Sequence, residues 1–141
     1  MTHMSAPILI TGGCLCGALR YEASEPPAYA GHCYCADCRK ASGSGFIGFM
    51  NFPAAALRIS GATRQFRWPA ASGRESVRNF CARCGSLVFG GVVGVDPSHT
   101  IYAGSLDDPS LFEPKIAIFT RGRPAWAVIP EGLVRFEGLP G

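Results

Sequence analysis

Apolar and polar residues alternate over short stretches of this chain, and glycine, proline, asparagine or serine interrupts them about every ten residues. Short stretches rich in β-branched and aromatic residues, bounded in this way, are typical of β-strands. Their spacing predicts an all-β domain made mainly of short antiparallel strands. The predicted strands cover residues 7–11, 18–23, 45–52, 57–60, 63–68, 76–81, 86–95, 100–104, 115–120 and 126–136.

The helical pattern is nearly absent. No stretch keeps apolar residues at positions i, i+3, i+4 and i+7 over three turns. A single helical turn is predicted for residues 37–41, ended by Gly43, because glycine readily adopts the left-handed conformation that closes a helix. Residues 106–110 are predicted to form a turn or loop.

The organisation predicted from the sequence is one domain over residues 8–138, preceded by an extension over residues 1–7 in which Met4 is a second candidate start and the earlier residues an expression remnant. Of the 141 residues, 48% are hydrophobic and 16% charged, which is enough apolar material for a core and argues against disorder. The net charge of +3 is too small to predict nucleic-acid binding. No signal peptide or membrane-spanning run is recognised, so a cytoplasmic protein is expected.

The seven cysteines indicate that this β-domain binds metal. Without a secretory signal, closely spaced cysteines favour metal binding over disulfides. Two of the three clusters end in a glycine, and that residue can take a positive φ that turns backbone N–H groups toward the thiolates. We therefore pair Cys14 and Cys16 with Cys81 and Cys84 as a closed structural zinc site.

The remaining cluster, Cys33, Cys35 and Cys38, is one ligand short of a tetrahedron. Three protein ligands and an open position are the usual arrangement of a catalytic zinc. The alternative is a closed site whose fourth ligand is His32 or His99. The ligand type alone also leaves an iron–sulfur cluster open.

An open site with three thiolates is suited to thiol chemistry. Three thiolates and Zn²⁺ carry a net charge of −1, which makes the metal a weak Lewis acid and disfavours hydrolysis. A soft site of this kind prefers a further thiol, which zinc would hold as a thiolate. Arg39 and Lys40 follow Cys38 and are candidates to offset this charge or bind the substrate, or else they are solvated surface cations. Arg64, Arg67 and Arg78 are candidate carboxylate partners, although a solvated strand face is the simpler expectation for each.

The three clusters in this order resemble the glutathione-dependent formaldehyde-activating enzyme family, also described as the centromere protein V domain. The resemblance rests on residues 13–17, 33–43, 80–85 and 103–109 and on a late segment from Ile118 to Trp126. It implies a zinc-stapled β fold of the Mss4-like type. It also implies a structural zinc on Cys14, Cys16, Cys81 and Cys84 and a catalytic zinc on Cys33, Cys35 and Cys38.

The activity that the resemblance implies is that of a carbon–sulfur lyase that joins glutathione and formaldehyde as S-hydroxymethylglutathione. The alternative is a non-catalytic, zinc-stabilised module that binds a thiol or a protein. One position differs from the family pattern, because Tyr34 stands where many members have histidine, and His32 precedes the cluster instead.

Overall fold

A computed structural model describes residues 7–70 and 73–140 of the chain, so the extension predicted for residues 1–7 lies outside the description except for Pro7. The prediction of a mainly β fold is confirmed. The strands are β1 Ile10–Gly13, β2 Arg20–Ala23, β3 Tyr29–Cys33, β4 Ile47–Pro53, β5 Leu57–Ser60, β6 Thr63–Pro69, β7 Glu75–Cys81, β8 Leu87–Gly90, β9 Ser98–Tyr102, β10 Ile116–Ile118 and β11 Val134–Arg135. The helices are α1 Ala36–Ser42 and four 3₁₀ turns, Ala54–Ala56, Ala103–Ser105, Pro109–Leu111 and Thr120–Gly122.

The strands form two sheets. Strands β1, β2 and β5 make a small antiparallel sheet, and the other eight lie in the order β11-β10-β3-β4-β9-β8-β7-β6. Pairing is antiparallel except at one edge, where β10 runs parallel to both β3 and β11. The main core lies between the two sheets, where Leu19 and Tyr21 of the small-sheet side pack against Phe52, Phe89 and Ile101 of the large sheet.

Strand β3 was not predicted, although it carries the first cysteine of the three-cysteine cluster. Its sequence, Tyr-Ala-Gly-His-Cys, has no β-branched residue and gave no strand signal. It is a strand because β4 and β10 pair with it on both sides. A side chain at Gly31 would collide with Ile116 of β10. Glycine weakens the strand pattern in the sequence, but here it allows β3 to pack closely against β10.

Two other predictions are settled by the fold. The helical turn is confirmed and extends over residues 36–42, with Cys35 as the N-cap and Gly43 at φ 68° as the C-cap. The long strand predicted for residues 126–136 is wrong, because Pro130 and Gly132 interrupt it and only Val134–Arg135 pair with β10. Within the described residues, no helix is both long and apolar enough to cross a membrane.

Candidate functional site

The structure brings four cysteine thiols together where the two sheets meet. Cys14 and Cys16 follow β1 of the small sheet, whereas Cys81 ends β7 of the large sheet and Cys84 lies in the next turn. Their Sγ atoms all lie within 4.8 Å of one another. The Sγ of Cys16 is 3.6 Å from that of Cys14 and 3.7 Å from that of Cys81. The cluster therefore joins the start of the domain to the far end of the large sheet.

Backbone N–H groups point at these sulfurs, as the glycine pattern predicts. Gly17 and Gly85, which follow the two cysteine pairs, have φ values of 83° and 76°. The N–H of Leu19 donates to Cys14 Sγ at 3.3 Å, and those of Arg83 and Cys84 donate to Cys81 Sγ at 3.3 and 3.4 Å. Hydrogen bonds of this kind stabilise thiolates, so the loops are built for anionic sulfur.

The second cluster is formed where β3 passes into α1. Cys33 is the last residue of β3, Cys35 is the N-cap of α1 and Cys38 lies in its first turn. Their three Sγ atoms lie within 4.8 Å of one another, with 3.4 Å between those of Cys33 and Cys35. Among residues 7–70 and 73–140, no other His, Cys, Asp or Glu ligand atom belongs to this group. The cluster is therefore a three-thiol group in the part of the chain that the structure describes.

Cys35 is the thiol of the three-thiol cluster whose pKa is lowered. Hydrogen bonds from the thiols of Cys33 and then Cys38 lower the pKa of Cys35 to about 2, and the positive charge of Arg78 acts in the same direction. The backbone N–H of Cys38 also donates to Cys35 Sγ at 3.3 Å. The same contact with an anionic Cys35 raises the pKa of Cys33, because only one thiol of the pair readily ionises.

Arg78 of β7 is the cation that contacts the cluster. Its Nη2 donates to Cys38 Sγ at 3.5 Å and its Nη1 donates to Tyr102 Oη at 3.2 Å. The guanidinium lies between two rings, 5.0 Å from the centroid of Trp68 and 5.4 Å from that of Tyr102. Its Nε is buried and has no hydrogen-bond partner among the described residues. Buried donors usually have a partner, so the Nε is available to a ligand or a water molecule in the cavity.

Trp68 of β6 ties this arrangement to the helix. Its Nε1 donates to Asp37 Oδ2 at 3.1 Å, and Asp37 lies in the first turn of α1 between Cys35 and Cys38. The β6–β7 hairpin thus reaches across to the helix that carries the cysteines. Trp68 and Arg78 together form one wall beside the three thiols.

A cavity of about 980 Å³ opens beside the three thiols on one face of the large sheet. Cys33 and Cys38 line it, together with Arg78, Trp68 and Tyr102. Its volume is at the upper end of the range of about 300–1,000 Å³ that is typical of small-molecule sites. Two of the cluster's sulfur-bearing residues are therefore accessible from a space large enough for a peptide-sized ligand.

Several residues singled out in the sequence lie elsewhere. Arg39 and Lys40 occupy the last turn of α1, and among the described residues neither lines this cavity. His99 contacts the carbonyl of Gly90 at 3.0 Å and belongs to no ligand group there. His32 and Tyr34 lie on the opposite side of β3 from Cys33, because neighbouring strand residues point to opposite faces.

His32 and Tyr34, where the sequence differs from the family pattern, make packing and hydrogen-bond contacts on that opposite face. Tyr34 is fully buried, and its Oη donates to the carbonyl of Val128 at 3.1 Å and lies 3.2 Å from His32 Nδ1. His32 stacks on Phe46 with 4.2 Å between ring centroids, and burial lowers its pKa. Neither residue supplies a ligand to the three-thiol group.

Arg78 is the contact that the sequence pattern did not identify. It was one of three strand arginines with an expected solvated position, yet it is half-buried against the thiols. The alternation in β7 could not single it out, since Ser76 and Arg78 share a face by strand periodicity and both are polar. The neighbouring Arg67 does have the expected exposed position, in an ion pair with Glu75.

The donor sets of both clusters fit a thiophilic metal ion. A tetrahedral zinc with bonds of about 2.3 Å to sulfur places its thiolates about 3.8 Å apart. The Sγ–Sγ distances of 3.4 to 3.7 Å are close to this spacing. Each of the two cysteine clusters could therefore hold a metal ion.

Comparison with known proteins agrees with this geometry. The model of the family "Glutathione-dependent formaldehyde-activating enzyme" matches residues 9–122. A Halomonas elongata protein named "Putative glutathione-dependent formaldehyde-activating enzyme" is 36% identical over 87 residues, which cover 58% of this chain and 55% of that relative. The chain thus matches about half the length of this curated relative.

A solved structure gives independent support for the fold. A crystal structure of a Rhodobacter sphaeroides protein, a structural-genomics target, superimposes with a TM-score of 0.51 at 22% sequence identity. The match covers 74% of this chain and 96% of that one. The two thiol clusters, the β fold and the family match over residues 9–122 lead to one conclusion. The chain belongs to the glutathione-dependent formaldehyde-activating enzyme family.

Proposed function

We propose that this protein is a zinc-dependent carbon–sulfur lyase that joins a glutathione-type thiol to formaldehyde as S-hydroxymethylglutathione. In this proposal Cys14, Cys16, Cys81 and Cys84 hold a structural zinc, and Cys33, Cys35 and Cys38 hold a catalytic one. The observation that carries the proposal is the three-thiol group at the edge of the large cavity, with no fourth side-chain ligand among the described residues. A structural site is usually closed by four protein ligands, whereas a catalytic one keeps a position for the substrate.

The reaction joins the thiol sulfur to the aldehyde carbon. The sulfur–carbon bond forms as the carbon–oxygen π bond breaks, and the proton of the thiol ends on the aldehyde oxygen. Zinc, when bound, would supply the positive charge that favours the thiolate form of the incoming thiol. The chain's own contribution is to place the thiol and aldehyde together in the cavity, which raises the effective concentration of each toward the other.

Arg78 is proposed to balance the negative charge of the sulfurs. Three thiolates and Zn²⁺ carry a charge of −1, and an incoming thiolate makes it −2. The guanidinium lies against Cys38 and is fixed between Trp68 and Tyr102, so it needs no rearrangement to act. Its partnerless Nε is a further donor for an anionic group of the substrate.

Arg39 and Lys40 are proposed to act at a greater distance. They lie in the last turn of α1, outside the lining of the cavity in the described residues. From there, their charges can attract the carboxylates of glutathione toward the site rather than hold them within it. We also propose a cytoplasmic location, because the seven cysteines are free thiols and a reducing compartment keeps them available for metal.

The test is the acceleration of adduct formation between glutathione and formaldehyde, measured by exchange NMR spectroscopy with zinc-loaded protein. The matched variant is Cys35→Ser, because a serine preserves the N-cap of α1 while it removes a sulfur ligand. We expect the wild type to accelerate the exchange and the variant to lose most of this effect. Binding of glutathione without acceleration by the wild type would favour the non-catalytic module and contradict the enzyme proposal.

A further inference from the structure

The cavity beside the three thiols has two chemically different halves. Strands β7, β8 and β9 line one half with hydroxyl groups, glycine, Val77, the carboxylate of Glu75 and the guanidinium of Arg78. Strands β10, β3 and β4 line the other half with mainly apolar side chains and the amide of Asn51. The apolar half consists of Tyr29, Ile47, Phe49, Ile116 and Ile118.

The apolar half begins at the three-thiol cluster. Cys33 of β3 is paired in register with Ile47 of β4 on one side and Ile118 of β10 on the other. Residues paired in register share a face of the sheet, so both isoleucines flank the thiol. The next cavity-facing row along β3 repeats this arrangement, with Gly31 between Phe49 and Ile116.

Gly31 makes this second row continuous. A side chain there would collide with Ile116 and would meet Phe49 Cζ at 3.1 Å, so the two apolar side chains converge over the glycine. The apolar side chains of this half thus form a strip, made of Tyr29, Ile47, Phe49, Ile116 and Ile118. The strip ends at the mouth of the cavity, where Tyr29 packs edge-on against Phe49 with 6.2 Å between ring centroids. Tyr29 and Leu139 line the rim with 53% and 60% of their surface exposed.

This strip is much longer than formaldehyde, which has two non-hydrogen atoms and no apolar substituent to contact it. Glutathione is itself polar at both ends, and the polar half of the cavity offers it hydroxyl groups and Arg78. Ile47 and Phe49 are largely buried, and Ile116 and Ile118 pack against them, so the strip is a wall of the cavity rather than an exposed patch. Small-molecule sites are lined mainly by apolar side chains, and such a wall suits an apolar ligand group. The position of the strip, from Cys33 outward, places that group on the carbon that becomes bonded to sulfur.

We propose that, besides formaldehyde, the site accepts and prefers aldehydes that carry an apolar chain, so that its preferred adduct joins glutathione to a longer aliphatic aldehyde. This inference rests on the proposed function and specifies its substrate class. The bonds that form and break are the same as with formaldehyde: sulfur bonds to the aldehyde carbon, and the thiol proton ends on the oxygen. Only the substituent on that carbon differs, and it lies along the isoleucines and Phe49.

Binding of stable thioethers tests the strip without any reaction. S-methylglutathione and S-hexylglutathione share the tripeptide and the sulfur position and differ by five CH₂ groups. Each CH₂ group that becomes buried strengthens binding about fourfold. We therefore expect the hexyl compound to bind the zinc-loaded protein at least tenfold more tightly by isothermal titration calorimetry. Equal affinities, or no binding of either compound, would overturn the proposal.

Matched substitutions locate the effect within the cavity. Ile116→Thr keeps a β-branched side chain in β10 but replaces apolar surface by a hydroxyl group, and we expect it to reduce the hexyl-to-methyl affinity ratio at least threefold. The control is Val134→Thr, because Val134 pairs with Ile116 in register but is exposed and absent from the described lining. The exposed Tyr29→Ser tests the rim in the same way if Ile116→Thr does not fold. Ratios that none of these variants changes would place the hexyl group elsewhere and overturn the proposal.

Turnover separates this inference from the function on which it rests. Acceleration with formaldehyde, combined with equal binding of the two thioethers, would overturn the apolar substrate and leave the lyase proposal standing. Tighter binding of S-hexylglutathione, combined with no acceleration of formaldehyde, propanal or hexanal, would overturn the lyase and the substrate assignment with it. Acceleration that increases from formaldehyde to hexanal would support both.

Discussion

The two thiol clusters of this protein use the same ligand atom in opposite settings. The four-thiol cluster lies in two glycine-ended loops, and its sulfurs accept hydrogen bonds from the backbone. The three-thiol cluster lies at a strand–helix junction beside a large cavity, and a side-chain cation contacts it. In the proposed division of roles, the site with the backbone donors serves folding alone. A mobile ligand needs an open face and a charge partner that can also serve the substrate.

The largest expected difference between the clusters is in stability. Cys81→Ser removes a thiol of the proposed structural zinc site between the two sheets, and structural zinc sites contribute about 10–16 kcal/mol of apparent binding free energy in small zinc domains. Because domains of this size are stable by about 5–15 kcal/mol, we expect this variant to be unfolded. Cys35→Ser should remain folded, with a Tm lowered by several degrees. Thermal unfolding followed by circular dichroism, with zinc content measured in parallel, checks both.

The same measurement can contradict separate roles for the two clusters. If Cys35→Ser unfolds as completely as Cys81→Ser, the three-thiol cluster is a structural element like its neighbour. A zinc content of about one ion per folded Cys35→Ser chain, against about two for the wild type, would instead separate the roles of the two clusters.

A smaller effect should follow from removing the charge partner. Arg78→Met retains a long side chain that can fill the space between Trp68 and Tyr102, but it removes the donor to Cys38. Hydrogen bonds to charged groups contribute about 1.5–3 kcal/mol. We therefore expect kcat/KM to fall about 10- to 100-fold and a chelator to remove faster the zinc ion proposed for the three-thiol cluster.

Two further variants sharpen that result. Arg78→Lys keeps the charge but not the planar guanidinium, so a partial recovery of zinc retention is expected. Arg67→Met is the control, since Arg67 lies on the adjacent strand in an exposed ion pair with Glu75. Exposed pairs contribute about 0–1 kcal/mol, and its removal should leave zinc retention unchanged. Equal zinc retention in Arg78→Met and the wild type would contradict a charge-balancing role.

The smallest expected effect concerns the residue that departs from the family pattern. Tyr34→Phe removes the hydroxyl group that contacts Val128 and His32 on the face of β3 opposite Cys33. The loss of a buried hydrogen bond should lower the free energy of unfolding by about 1 kcal/mol, measured by urea denaturation. The kcat/KM should change less than twofold. A large loss of activity with unchanged stability would mean that this face also serves the reaction.

The grouping of the cysteines could be predicted from the sequence because it depends on local backbone chemistry. Glycine after each outer pair indicates a tight turn with positive φ, and Gly17 and Gly85 have that conformation. The short helix could also be predicted, since it needs only an N-cap, a few residues and Gly43. The β character followed from spacing and composition.

The surroundings of the three-thiol cluster could not be predicted, because they depend on sheet order. Arg78 reaches Cys38 across a separation of forty residues, and no local pattern reports which strand lies opposite which. Strand β3 was missed for a related reason, since its two neighbours, and not its own residues, make it a strand. The predicted roles of Arg39 and Lys40 relied on nearness in sequence, and the contact belongs to a more distant arginine.

The contact between Arg78 and Cys38 also bears on the order in which parts of the protein fold. Strand β7 is separated from β3 by β4, β9 and β8 in the large sheet, yet its arginine contacts a cysteine of the helix that follows β3. Such a contact needs the central strands of the large sheet to be paired already, because they set the distance between β7 and the helix. Contacts between distant parts of a chain form late, because closing long loops has an entropic cost that only later contacts offset. The thiols of residues 33–38 can meet as soon as the local turn forms, but their charge partner arrives only with the completed sheet.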